Sequence, residues 1–148
     1  MKMPETSGYV KFEKGNWWCG IGFTGPEEWE YPRTNHVNIV QDGNGRVALM
    51  TYINGEQYLT EYFPLQREIP YFFKISYSGG SAYAEINGHV FESLPAPTVD
   101  LPFNILHAQY HVNWWDVPEH QRIAIVTGTV VTVIGAVAAF FGLKKFRK

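Results

Sequence analysis

The chain has 148 residues, a length that accommodates one domain. Hydrophobic residues make up 45%, aromatics 16% and charged residues only 18%, which excludes a disordered chain rich in charge and poor in aromatics. The formal charge of −2, with no basic stripe in the body, excludes a nucleic-acid binder driven by net charge, and the single cysteine, Cys19, excludes an internal disulfide framework or a cysteine-based zinc cluster.

Short aromatic or β-branched runs punctuated by Gly and Asn predict strands along the first 112 residues. The first two are Tyr9 to Phe12 and Trp17 to Phe23. A Gly-Pro-flanked loop follows, holding Glu27, Glu28, Trp29, Glu30 and Tyr31. His36 to Val40 is the next strand, and Asp42-Gly-Asn-Gly45 turns it into Val47 to Ile53. Asn54-Gly55 then leads to Gln57 to Phe63. Asn-Gly suits this position because a type I′ hairpin turn needs positive φ at both central residues. Tyr71 to Tyr77, Ser78-Gly-Gly-Ser81 and Ala82 to Ile86 form a second hairpin, and Asn87-Gly88 turns the chain into His89 to Glu92. Pro95-Ala-Pro97 and Pro102 mark a loop before a last strand, Phe103 to Val112. Alternation with period two is clearest in Phe73, Ile75 and Tyr77 against Lys74 and Ser76, and it recurs in Tyr83 and Glu85 against Ala84 and Ile86. About nine short strands at 8–12-residue spacing predict an all-β body, an antiparallel β-sandwich over residues 1–112.

The run from Tyr71 through Ser78-Gly-Gly-Ser81 to Asn87-Gly88 and Phe91 resembles a segment of the laminin-G/concanavalin-like sandwiches: an aromatic-led strand, a Gly-rich turn, a strand and an Asn-Gly turn. The resemblance implies a laminin-G-like or jelly-roll winding and a capacity to bind glycans or protein partners, in some members through calcium. No acidic cluster matches a calcium site of that family, so no site residue carries over.

Several patterns are candidates for chemistry. His107 and His111 lie four apart; on a strand they share one face about 13 Å apart, with no third ligand evident, and read as polar surface rather than a metal site. Asp42-Gly-Asn44-Gly opens like a calcium loop but lacks the closing glutamate, and a hairpin turn accounts for it. Glu27, Glu28 and Glu30 beside aromatics have the residue types of a glycosidase, but nothing fixes their spacing, and an acidic solvated loop is the simpler reading. Trp17, Trp18, Trp29 and Tyr31 are the candidate binding surface for a sugar or a protein. Cys19, between Trp18 and Gly20, reads as a buried, inert thiol. No phosphate-cradling loop and no Gly-x-Ser-x-Gly is present. The expectation is a non-enzyme without cofactor or metal.

Residues 123–143 are 21 consecutive residues without a charge. A helix of that length spans about 31 Å, close to the ~30 Å of a bilayer core, which predicts a single transmembrane helix. Residues 113–122 form an aromatic linker in which Trp114 and Trp115 suit the membrane interface. Lys144, Lys145, Arg147 and Lys148 form a basic tail over 144–148. Residues 1–122 carry eight Lys/Arg against fourteen Asp/Glu, hence −6, and the last five residues carry +4. Gly128, Thr132, Gly135, Ala139 and Gly142 recur at alternating spacings of four and three, a small-residue stripe read as a helix-packing face. The tail predicts a cytoplasmic C-terminus, yet residues 1–30 have no apolar stretch of a signal peptide, so the side of the β-body stays open.

These readings combine into a single-pass membrane protein with a C-terminal anchor, in a host-cell or virion membrane. Its partners would be the lipid bilayer and other membrane or capsid-type subunits, with self-association through the stripe. The leading expectation is a structural or assembly role, as in a lipid-containing virion or a membrane machine. The alternative is a membrane-anchored glycan-binding or adhesion module.

Overall fold

The computed structural model describes residues 5–15, 17–24 and 34–119. Over these the chain is all-β, apart from one 3-10 turn at Trp114–Asp116. The strands are β1 (Glu5–Phe12), β2 (Cys19–Thr24), β3 (His36–Gln41), β4 (Arg46–Ile53), β5 (Glu56–Leu59), β6 (Phe63–Pro64), β7 (Pro70–Ser78), β8 (Ser81–Ile86), β9 (His89–Val90), β10 (Leu94–Pro95), β11 (Phe103–Leu106) and β12 (Ala108–His111).

They form two six-stranded antiparallel sheets. The first runs β10-β8-β7-β1-β12, with β9 on β8; the second runs β11-β2-β3-β4-β5, with β6 on β4. Adjacent hairpins make most of the second sheet. In the first, β1 lies between β7 and β12, so its pairing waits for chain about 60 or more residues away.

The core lies between the sheets, where alternate residues of both turn inward. Phe73, Ile75 and Tyr77 are buried while Lys74 and Ser76 are partly exposed, and Ala82, Ala84 and Ile86 are buried while Tyr83 is exposed, as the alternation predicts. Val10, Phe12, Ile21, Val37, Ile39, Val47 and Leu49 are fully buried in the same core. Burying one such side chain contributes roughly 1.5–3 kcal/mol. Tyr77 donates its hydroxyl to Val99 O (2.7 Å) and accepts from Leu101 N (2.8 Å), pinning the proline-rich loop over the sandwich edge.

Three differences from the sequence reading have physical causes. Phe103 to Val112 is not one strand: β11 pairs with β2 in the second sheet and β12 with β1 in the first. His107, at φ +49°, turns the corner between them. Strands that switch sheets need such a bend, and a left-handed residue breaks the alternation that a straight strand would carry. His107 and His111 therefore do not share a strand face. Among the described residues, no three His, Cys, Asp or Glu are grouped to hold a metal ion. Gln57 to Phe63 divides into β5 and β6 because Thr60 takes over Leu49: its N–H donates to Leu49 O, and its Oγ1 accepts from Leu49 N. The second strand begins at Cys19, leaving Trp17 and Trp18 outside it.

Past β12 the chain stays against the body. Trp114 packs on Tyr9 with ring centroids 5.2 Å apart, and Val117 is buried. Among the described residues no helix is long and apolar enough to cross a membrane; the segment read as a span, 123–143, lies outside them. The stripe from Gly128 to Gly142 and the tail Lys144 to Lys148 also lie outside them.

Candidate functional site

The second sheet departs from simple inside–outside alternation. All six residues of β2 and all six of β3 are buried, so these strands are sheltered on both faces. Cys19, Ile21 and Phe23 on β2, with Val37 and Ile39 on β3, belong to the core between the sheets. The alternate residues, Gly20, Gly22, His36, Asn38 and Val40, therefore form the outer face. Ala48, Met50 and Tyr52 on β4 and Gln57 and Leu59 on β5 continue it by register.

Register builds a polar ladder across this face. His36 lies opposite Tyr52, and Tyr52 opposite Gln57. The His36 and Tyr52 rings stack, with centroids 4.7 Å apart and planes 18° apart. The Gln57 amide donates to the Tyr52 hydroxyl at 3.0 Å. On the other side the Asn38 amide nitrogen is hydrogen-bonded to His36 Nδ1. The ladder runs from Asn38, fully buried, to Gln57, which is exposed.

Beside it lies a depression of about 340 Å³, within the ~300–1,000 Å³ range of small-ligand sites. Val40 and Met50 line it as an apolar floor, and Trp18, Tyr62, Leu59 and Leu106 flank them. His36 and Gln57 bring the ladder to its edge. Gly20, opposite Leu106 and Val40, carries no side chain and keeps the face low between them.

The rim is fixed from below. Arg67 donates to three carbonyls: Glu13 O at 3.0 Å, Trp17 O at 2.6 Å and Asp42 O at 2.7 Å. One guanidinium thus ties the connection that carries Trp17 and Trp18 to the β3–β4 turn. That turn is built on Asp42, whose Oδ1 accepts from Asn44 N and Arg46 N and whose Oδ2 accepts from the Arg46 side chain at 2.7 and 3.0 Å. The Arg46 guanidinium in turn lies 4.8 Å from the centre of the Tyr62 ring, a cation–π contact that holds this wall. The Asp42 carboxylate is fully occupied by the hairpin, as the turn reading requires.

Of the sequence-predicted binding residues, Trp18 lines the depression and is 43% exposed. Trp17 stands beside it, 46% exposed, with its ring 5.3 Å from that of His107. Trp29 and Tyr31 lie outside the described residues. Sequence reasoning missed His36, Met50, Gln57 and Tyr62. The available signal was the pair His36 and Asn38 alternating with Val37 and Ile39, polar residues placed on the face away from the core. Cys19 is buried, with its sulfur 3.8 Å from Glu13 O, and burial pushes its thiol pKa up, in keeping with an unreactive thiol.

Two packed antiparallel sheets, with a sheltered aromatic and polar depression on one outer face, make this an antiparallel β-sandwich, similar in fold to the concanavalin-like sandwiches. Solved structures agree. The carbohydrate binding module CBM66 from Bacillus subtilis matches with TM-score 0.51 and 10% identity over 74% of this chain and 68% of its own. The galectin LEC-6 of Caenorhabditis elegans matches with TM-score 0.51 and 15% identity over 72% of this chain and 77% of its own. A β-glucanase of Bacillus licheniformis matches with TM-score 0.50 and 12% identity over 74% of this chain and 56% of its own. At these identities the likeness is one of fold, which binding proteins and an enzyme share. No protein-family model matches the sequence, and no curated protein matches it.

Proposed function

We propose that the chain is a glycan-binding module that takes a sugar in the depression on the outer face of the second sheet. The observation that carries this reading is the juxtaposition of two aromatic walls, exposed Trp18 and half-buried Tyr62, with the ladder of His36, Tyr52 and Gln57. A sugar ring offers an apolar face for stacking and hydroxyls for hydrogen bonding, and an aromatic-and-amide edge answers both. The names of a carbohydrate binding module and a galectin among the solved neighbours support sugar recognition ahead of the structural or assembly role that the sequence put first.

We further propose that residues 123–143 tether the module to a membrane, on the strength of 21 uncharged residues ahead of four basic ones. Resistance to alkaline extraction tests the tether, and protease protection in sealed vesicles reports the side of the body.

The tagged full-length chain in mild detergent, applied to a glycan array and then titrated with the best hit, tests the binding reading. Saturable binding that falls at least tenfold in Gln57→Ala and Trp18→Ala, with an unchanged melting temperature, is the expected result. An array without hits, or binding indifferent to both substitutions, would overturn it.

A further inference from the structure

The outer face of the first sheet carries a second feature, and it is apolar. Tyr9 lies between His111 and Phe72 by register, and its ring meets Phe72 at 5.7 Å and Trp114 at 5.2 Å. Phe72 is 40% exposed, Val112 61% and Trp115 79%. Tyr9, Phe72 and Trp114 form one aromatic patch near the point where the described chain ends, and exposed Trp115 follows Trp114 in the chain.

What the patch faces follows from the chain beyond it. Only residues 120–122 separate Glu119 from Ile123, the first residue of the uncharged segment. At no more than ~3.6 Å per residue, Ile123 lies within about 14 Å of Glu119. If that segment spans a bilayer, the patch is held at the headgroup layer, the depth that tryptophan and tyrosine favour.

We propose that the patch of Tyr9, Phe72 and Trp114, with the adjoining Trp115, rests in the bilayer interface, so that the sandwich lies on its first sheet and turns the depression of the second sheet away from the membrane. The outer faces of two packed sheets point in opposite directions, so seating one presents the other. The proposal rests on the membrane tether but not on the ligand of the depression.

Site-directed spin labelling of the full chain in phosphatidylcholine nanodiscs tests it. Cysteines are introduced one at a time as Phe72→Cys in the patch, Trp115→Cys adjoining it, Glu61→Cys remote from it and Val133→Cys within the uncharged segment. The buried native Cys19 resists the label. Labels at 72 and 115 should be relaxed more by oxygen than by a water-soluble nickel chelate, and the label at 61 the reverse. If the label at 133 is open to the chelate, the tether itself fails. If 133 sits in lipid while 72 and 115 are open to the chelate, the tether stands and the seated face is wrong. Labels at 72 and 115 shielded from both reagents would show a protein surface covering the patch and would also overturn the proposal.

Discussion

Asp42 is buried with both carboxylate oxygens engaged, and its chemistry sets a dependence of stability on pH. Burial alone would raise its pKa. The backbone N–H and guanidinium of Arg46, with the Asn44 N–H, outweigh that and hold it below the ordinary carboxylate value. A group whose pKa is lower folded than unfolded contributes stability above its unfolded pKa, near 3.9, and that contribution is lost as pH falls through the folded value. Thermal melts of the chain should therefore show a stability loss below about pH 4 that is smaller in Asp42→Asn. Asp42→Asn should also be less stable at neutral pH, because the amide cannot replace the ion pair with Arg46. Gly22 is a second sensitive residue. A Cβ there would lie 2.2 Å from Val37 O and 2.6 Å from Asn38 Oδ1. Gly22→Ala must push β2 from β3 and displace the amide that holds His36. We expect a destabilisation of about 1–3 kcal/mol, read as a lower melting temperature, together with weaker glycan binding.

Among elements, the β11–β12 corner is the sharpest case. His107 passes the chain from one sheet to the other at positive φ while its ring packs on Trp17. A β-branched residue suits that backbone poorly, so His107→Val should lower stability by about 1–2 kcal/mol, whereas His107→Gly should keep the corner and lose the contacts of the ring with Trp17 and Glu13. Differential scanning calorimetry separates the two. The corner also shows why one predicted strand became two. Its residues, Phe103-Asn-Ile-Leu and Ala-Gln-Tyr-His, each read as strand, and only their different partners, β2 and β1, divide them. The hairpins were legible for the opposite reason. Asn54-Gly55 and Asn87-Gly88 adopt positive φ at both residues, a demand local enough to be written in two letters.

At the scale of the molecule, β1 is the strand on which closure depends. It joins β7 to β12, and without it β12 has no partner in the first sheet. Deleting residues 5–12 from the full chain should abolish cooperative unfolding by circular dichroism, even though every hairpin of the second sheet remains. Pairing so distant along the sequence is also slow to form, because loop-closure entropy is spent before the contact stabilises the fold. The same topology sets the two outer faces apart: a sheltered depression on one and an aromatic patch beside the chain exit on the other.

The sequence by itself determined what depends on neighbours: the turns, the alternation of β7 and β8, the all-β class and the buried thiol. It singled out Trp18 as a candidate only by residue type, as one of several aromatics; it placed Trp18 inside a strand, and only the structure puts it ahead of β2, exposed at the edge of the depression. It could not assemble His36, Tyr52 and Gln57, which lie in three separate runs and meet only because β3, β4 and β5 pair in one register. Nor could it show that Arg67 holds the tryptophan-bearing connection from more than 45 residues away. Side-chain alternation says that a residue faces outward; tertiary structure alone decides what it faces there, because cross-strand neighbours are set by hydrogen-bond register between segments with no local signal for each other.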